Sequence, residues 1–121
     1  MADVNSSVMP LYDRVKNQIY DDFQRLSRQE SIVFSAKGRS NYVRALKHYR
    51  IKYNRFVTNI FSTNLYKKIK EQDREILENY RANANLIKTR EQITTITMLC
   101  ASIIRDMNIT KISFDRSDEI F

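Results

Sequence analysis

A single glycine and a single proline interrupt this chain of 121 residues, and their scarcity limits the fold more than any other feature. Both residue types mark turns and break helices, so a chain that nearly lacks them has few places to reverse direction. Long helices are therefore expected. Pro10 fits the first turn of a helix, Gly38 marks a break between two helices, and Ser40 is expected to cap the second one.

Apolar residues recur at helical spacing through most of the chain. The first segment carries Leu11, Val15, Ile19, Phe23 and Leu26. Their intervals of three and four residues place them on one side of a helix. Similar seams further along predict four helices, over about 10–28, 41–62, 65–88 and 91–107. The seam of the third consists of Leu65, Ile69, Ile76, Tyr80 and Ile87.

The fold class expected from these seams is all-α, with a helical hairpin followed by additional C-terminal helices. Residues 1–107 are expected to form one helical domain, because a chain of this length favours a single core. Residues 108–121 alternate only briefly and end acidic. They are expected to be a flexible tail, with a short edge strand as the alternative.

The charges are distributed unevenly along the sequence. The segment from Ser31 to Lys70 contains ten Lys or Arg residues and no Asp or Glu, whereas the whole chain has a net charge of +7. The remainder is therefore mildly acidic, and the basic segment is a local feature. Such a patch favours a polyanion, with nucleic acid first and an anionic membrane surface second.

The second predicted helix lies inside this basic segment and has two contrasting faces. At ~100° per residue, its apolar and aromatic residues gather on one side and its cations gather opposite them. The apolar side is expected to be a protomer core or a dimer seam, formed by Leu46, Tyr49, Tyr53, Val57 and Ile60. The candidate nucleic-acid contacts are Lys37, Arg39, Arg44, Lys47, His48, Lys52, Arg55 and Asn59.

The sequence offers little for catalysis. Cys100 and His48 are the only cysteine and histidine, and they fall on different predicted helices. A buried structural thiol is therefore a better interpretation of Cys100 than a nucleophile, which needs an adjacent base. A zinc site needs several Cys or His ligands, and a phosphate loop needs several glycines. We expect no enzyme activity, no metal and no cofactor.

Double-stranded RNA suits a rigid helix that has cations on one side and no loops for reading bases. Its deep, narrow major groove hides the base edges, so proteins recognise its shape, phosphates and 2′-hydroxyls. Phosphate contacts position a protein without specifying a sequence. A symmetric homodimer would double the narrow footprint of one helix. The aromatic residues lie opposite the cations, which disfavours single-strand binding by base stacking.

Two stretches carry a family resemblance, "LYDRV" at 11–15 and "ALKHYRIKYNRFVTNI" at 45–60. Over residues 11–61 the chain resembles the small dsRNA-binding suppressors of RNA silencing made by insect nodaviruses. The resemblance implies an all-helical protomer that pairs antiparallel into a helical-bundle dimer. Such a dimer lies along one face of an A-form duplex and shields it from dicing and loading without reading its sequence.

The resemblance also bears on individual residues. Arg55 matches a basic RNA-contacting position of the family, whereas His48 stands where the family has a lysine. Thr63 and Asn64 replace a Lys-Pro pair that follows the long helix in the family, and the apolar segment 93–107 departs from its polar C-terminus.

The leading hypothesis is thus a non-enzymatic, homodimeric dsRNA-binding protein that acts in the cytoplasm of an infected cell, with no membrane or small-molecule partner. Two alternatives stay open. One is a helical protein-interaction module that docks an acidic partner through its cations. The other is a viral or phage DNA-binding protein.

Overall fold

The computed structural model describes residues 11–107 and residue 109, and the regular elements within them are all helical. The prediction of an all-α protein is confirmed. Four α-helices run from Leu11 to Ser35 (α1), Arg39 to Phe61 (α2), Glu71 to Ala82 (α3) and Arg90 to Asp106 (α4). Two short 3₁₀ helices, Asn64–Lys68 and Ala84–Leu86, flank α3. Pro10, Asn108 and residues 110–121 of the predicted tail lie outside the described residues. Ile109 was also expected in the flexible tail, but it is 1% exposed and its N–H donates to the carbonyl of Ile104 at 2.9 Å, so it belongs to the core.

Helix α1 is longer than the predicted helix over 10–28. The additional turns are held because Val33 continues the buried stripe of Ile19 and Leu26, all three with no exposed surface. The side chain of Gln29 also donates to the carbonyl of Ala45 at 3.0 Å, which fixes this end of α1 against α2. The spacing of apolar residues after Arg28 is irregular, so it did not predict that the helix continues to Ser35, where tertiary contacts stabilise it.

The turn between α1 and α2 depends on Gly38 rather than on Ser40. Gly38 has a φ of +84°, a left-handed conformation that glycine adopts without the steric cost of a Cβ atom. Helix α2 consequently begins at Arg39, and the prediction that Ser40 caps it was wrong. The amide of Asn41 donates to the carbonyl of Lys37 at 2.8 Å and closes the turn.

The single helix predicted over 65–88 is interrupted twice. Thr63 and Asn83 accept bonds from the backbone N–H groups of Leu65 and Asn85, so each begins a 3₁₀ turn. The chain is extended at Ile69 and at Ile87, yet both side chains are buried. The apolar residues on either side of these breaks happen to keep helical spacing, and for this reason the sequence predicted one continuous helix.

The phase of α3 also differs from the prediction. Leu77 is fully buried and faces the core, whereas Ile76, which the predicted seam included, is 39% exposed. The break after Lys68 resets the rotation of the helix, so the spacing from Leu65 and Ile69 no longer predicts which side turns inward.

The core lies between α1, α2 and α4. Helices α1 and α2 form an antiparallel hairpin, in which Asp22 contacts Asn59 and Gln29 contacts Ala45. Helix α4 runs parallel to α2, since Tyr42 bonds to the carbonyl of Lys88 and Tyr49 contacts Thr97. A capping box starts α4, with Thr89 and Gln92 bonding to each other's backbone.

The five residues expected at the protomer core or dimer seam lie in the core of the single chain. Their exposed fractions range from 0 to 6% for Leu46, Tyr49, Tyr53, Val57 and Ile60. Phe56, on the same side of α2, packs on Phe23 of α1 with ring centroids 6.1 Å apart. The apolar side of α2 is thus covered by the chain's own helices.

Arg50 is half-buried and binds the connection before α4. Its Nε and Nη2 atoms donate to the carbonyl of Ile87 at 3.0 and 2.7 Å, and Nη2 also reaches the carbonyl of Asn85 at 3.4 Å. The guanidinium therefore satisfies carbonyl groups that an extended segment leaves without helical partners.

We expect Arg50→Ala to lower the free energy of unfolding by about 1.5–3 kcal/mol, because hydrogen bonds to a charged group are lost and the carbonyls stay partly buried. Urea denaturation followed by circular dichroism measures this change. Arg44→Ala, on the exposed side of the same helix, is the matched control and should change stability by less than about 0.5 kcal/mol. Equal effects of the two substitutions would contradict the structural role of Arg50.

Candidate nucleic-acid interface

The outward side of α2 presents four of the predicted contact residues together. Arg44, Lys47, His48 and Arg55 are all exposed. They face solvent because the opposite side of the helix carries the buried aromatic residues, as the ~100° rotation per residue requires. Arg44 and Arg55 are eleven residues apart, so about 16 Å of helix separates them.

Lys37 and Arg39, the two predicted contact residues near the hairpin turn, lie on different sides of the molecule. Lys37 is exposed and lies in the same surface cleft as Arg44 and His48. Arg39 is also exposed, but it lies about 140° around the helix from Arg44, at ~100° per residue. Lys37 therefore joins the outward residues of α2, and Arg39 does not.

Lys52 and Asn59 lie at the seam between α1 and α2. The ammonium of Lys52 donates to Gln29 Oε1 at 2.8 Å and stays partly exposed. The amide of Asn59 donates to Oδ2 of Asp22. Lys52 keeps its charge at the surface, whereas the donor group of Asn59 is already engaged within the chain.

Helix α1 adds a cation that the sequence analysis missed. Asp22 is only 1% exposed, and its carboxylate accepts bonds from Gln18, Arg25 and Asn59. Arg25 lies one turn along α1 from Asp22, at 3.4 Å, and its side chain is 48% exposed. The shared carboxylate holds Arg25 beside the outward residues of α2. The three-residue spacing between Asp22 and Arg25 could have indicated this position for Arg25, but such i,i+3 pairs are common on solvated helices.

We call the resulting surface the cationic face; it comprises Arg25, Lys37, Arg44, Lys47, His48, Lys52 and Arg55. Arg25 has the buried Asp22 as its ion-pair partner. Within residues 11–107, the ion pairs Arg81–Glu78 and Arg105–Asp106 lie elsewhere, on α3 and α4. Arg44, Lys47 and Arg55 have no carboxylate within 4 Å in this part of the chain. The face therefore offers uncompensated positive charge along α2, next to the paired Arg25 of α1.

The aromatic residues of α2 are not available to stack on bases. Tyr49, Tyr53 and Phe56 have no exposed surface. Tyr42 is partly buried, and the guanidinium of Arg90 lies 4.7 Å from its ring centroid. Apart from Ile51, which is 58% exposed on the same side of α2, the contacts that this face offers are charged or polar, which is the chemistry of phosphate and ribose recognition.

Cys100 and His48 do not come together. Cys100 has no exposed surface and burial raises the pKa of its thiol, so it is protonated at neutral pH. His48 lies on the outward side of α2, away from the core that contains Cys100. Among the described residues, no three His, Cys, Asp or Glu side chains form a group able to hold a metal ion.

We expect Cys100 in the native protein to resist a thiol reagent such as a nitrobenzoate disulfide at pH 8, because the thiol is both buried and protonated. Unfolding in urea should expose it and give complete labelling within minutes. Absorbance of the released thiolate measures both reactions. Fast labelling of the folded protein would show that the thiol is accessible and would reopen a nucleophilic role.

No protein-family model, curated protein or solved structure matches this chain. None of the helices described above is both long and apolar enough to cross a membrane.

Proposed function

We propose that the protein binds double-stranded RNA, independently of base sequence, through the cationic face. The observation that supports this proposal most is the outward row of Arg44, Lys47 and Arg55, which is exposed and has no carboxylate partner in the described part of the chain. Like charges repel one another, so a polyanion that neutralises the row is its natural ligand.

The shape of the face favours a duplex over a single strand. Two antiparallel helices provide its cations, and packed helices lie about 8–10 Å apart, so the charges form a band rather than one line. Within the described residues the face consists of α1, α2 and the short turn between them, so it contains no long loop or strand that could enter a groove and read base edges. An A-form duplex, which displays phosphates and ribose hydroxyls, is the matching ligand. Thr58 is exposed and supplies a hydroxyl for a ribose contact.

The biological consequence that we propose is suppression of RNA silencing. A protein that covers the backbone of a duplex without reading it blocks enzymes that must cut or load that duplex. We include homodimerisation in the proposal, because a second copy lengthens the cationic band. Since the apolar side of α2 is buried within the protomer, the dimer contact belongs to a different surface.

A gel-shift comparison of three nucleic acids of random sequence tests the proposal. We expect dsRNA to bind most tightly, with weaker binding of dsDNA and of single-stranded RNA. Equal affinity for dsDNA would contradict the silencing mechanism and would select a DNA-binding protein. Failure to bind any duplex, with salt-sensitive capture by a polyglutamate resin, would favour docking of an acidic protein partner.

The salt dependence of the affinity provides a second readout in the same experiment. If about five cations of each protomer contact phosphates, a dimer makes about ten such contacts, and the logarithm of the affinity should fall with the logarithm of the salt concentration at a slope near −9, by analogy with the B-DNA relation. Two unrelated duplex sequences should give the same slope and the same affinity.

A further inference from the structure

A cleft of about 510 Å³ opens at the turn end of the hairpin, between α1 and α2. We call it the tip cleft. Its apolar surface comes from Ile32, Ala36 and Ala45, and it is bordered by the cations Lys37 and Arg44 and by the imidazole of His48. Ile32 is 51% exposed, so a large apolar side chain faces solvent inside a strongly cationic surface. Ile51, on the outward side of α2, is also exposed, at 58%, but it does not line the tip cleft, so the concave shape distinguishes this site from the rest of the cationic face.

The uncharged polar groups around the tip cleft are mostly engaged within the chain. Gln29 donates to the carbonyl of Ala45 and accepts from Lys52, and the hydroxyl of Ser35 donates to the carbonyl of Ser31. Asn41 uses its amide N–H on the carbonyl of Lys37. Lys37, Arg44 and His48, by contrast, make no side-chain hydrogen bond or ion pair with the described residues. The groups of the cleft that stay available to a ligand are therefore the cations Lys37 and Arg44, the planar imidazole of His48 and the apolar surface.

These groups fit a nucleotide whose base is unpaired. Unpaired bases stack on imidazole rings and on guanidinium planes, which His48 and Arg44 supply, and an apolar surface covers the rest of a base. The ammonium of Lys37 suits the attached phosphate as a point charge. A continuous duplex has no exposed base face and uses surface cations alone, so it leaves the apolar surface of the cleft unexplained. The volume also lies within the usual range of small-molecule sites.

We propose that the tip cleft binds an unpaired nucleotide at the end of an RNA duplex, while the remaining cationic face contacts the paired region. The inference rests on the proposed function, because the paired region brings the terminal nucleotide to the cleft. It adds a preference for duplex ends that have an overhang.

The test compares one 19-base-pair RNA duplex in two forms, blunt and with a two-nucleotide overhang, by fluorescence anisotropy at fixed salt. We expect the overhang duplex to bind about fivefold more tightly or better, as stacking of one base produces. Uridine monophosphate at millimolar concentration is the competitor. We expect it to leave binding unchanged, and displacement of the overhang duplex would assign the cleft to free nucleotides instead.

Two variants at His48 test whether its planar ring stacks on the base. His48→Ala should bring the affinity ratio of overhang to blunt duplex close to one, and His48→Phe, which keeps a planar ring, should restore the preference. Arg55→Gln is the matched control, because Arg55 does not line the cleft. It should weaken both duplexes equally and leave their ratio unchanged.

The outcomes distinguish this inference from the proposed function. Tight and equal binding of both duplexes by the unaltered protein would overturn the tip cleft as a nucleotide site and would leave duplex binding intact. An overhang preference that His48→Ala retains would place the recognition elsewhere and would also overturn the inference. Binding of neither duplex would overturn both proposals.

Discussion

Tyr53→Ala is expected to lower the free energy of unfolding by about 3–5 kcal/mol, as for other buried aromatic residues replaced by alanine. Tyr53 has no exposed surface, its hydroxyl donates to the carbonyl of Leu77 at 2.7 Å, and its ring meets Tyr80 edge-on at 6.4 Å. The substitution removes both contacts and leaves a cavity where α2 meets α3. Because small domains have about 5–15 kcal/mol of stability, the loss is a large share of the total. Thermal denaturation should show a fall in Tm of roughly 15 °C.

Tyr53→Phe separates the hydroxyl from the ring. It keeps the packing volume and loses one hydrogen bond, so we expect a cost of about 1 kcal/mol. If Tyr53→Ala were no more damaging than Tyr53→Phe, the ring would not be part of the core, and the assignment of this side of α2 to the protomer interior would be wrong.

The double substitution Arg44→Gln with Arg55→Gln is expected to weaken binding of dsRNA about 60-fold for each bound protomer at 0.1 M salt. Each lost phosphate contact reduces the slope of log affinity against log salt by about 0.9 in the B-DNA relation, which corresponds to about eightfold in affinity at this concentration. The loss should be the same for unrelated duplex sequences, because phosphates carry no sequence information. Both side chains are exposed, so the melting temperature should stay unchanged.

Arg105→Gln is the matched control for this pair. Arg105 lies at the end of α4, its side chain is 74% exposed, and its charge is the same as that of Arg44 or Arg55. It should weaken binding by less than threefold, since it is remote from the cationic face. A comparable loss from Arg105→Gln would mean that net charge, rather than a defined surface, governs the affinity.

Helical periodicity predicted the fold class because the pattern is local. The stripe of Ile19 and Leu26 and the buried side of α2 were evident from spacing, and both lie in the core. The errors came from features that depend on distant contacts. Val33 extends α1 because other helices cover it, and the breaks around α3 depend on side-chain caps at Thr63 and Asn83. The spacing of apolar residues contains no information about such caps.

The cationic face was predictable in part for the same reason. Arg44, Lys47, His48 and Arg55 follow from the phase of one helix. Arg25 joins them only through the carboxylate of Asp22, which also binds Gln18 and Asn59, and this four-residue network spans two helices. The structural role of Arg50 could not be predicted from the sequence either, because it depends on hydrogen bonds to the backbone carbonyls of Asn85 and Ile87, which are distant in the chain.

Contrasting roles of arginines on one helix have a simple physical origin. Arg50 finds carbonyl acceptors and stabilises the fold, whereas Arg44 and Arg55 lie where the described chain provides no carboxylate. A charge without an internal partner contributes little to folding and stays available for a ligand. Whether a side chain of α2 packs in the core, stabilises the neighbouring connection or belongs to the cationic face therefore follows from the direction in which it leaves the helix.

Nitrogen-15 NMR of the arginine Nε–H groups, recorded while a 16-base-pair RNA duplex is added, tests the central claim most directly. We predict that the signals of Arg25, Arg44 and Arg55 shift on binding, whereas those of Arg50 and Arg105 keep their positions. Shifts confined to Arg81 and Arg105, with the three arginines of the cationic face unchanged, would contradict the claim that this face of the hairpin holds the duplex.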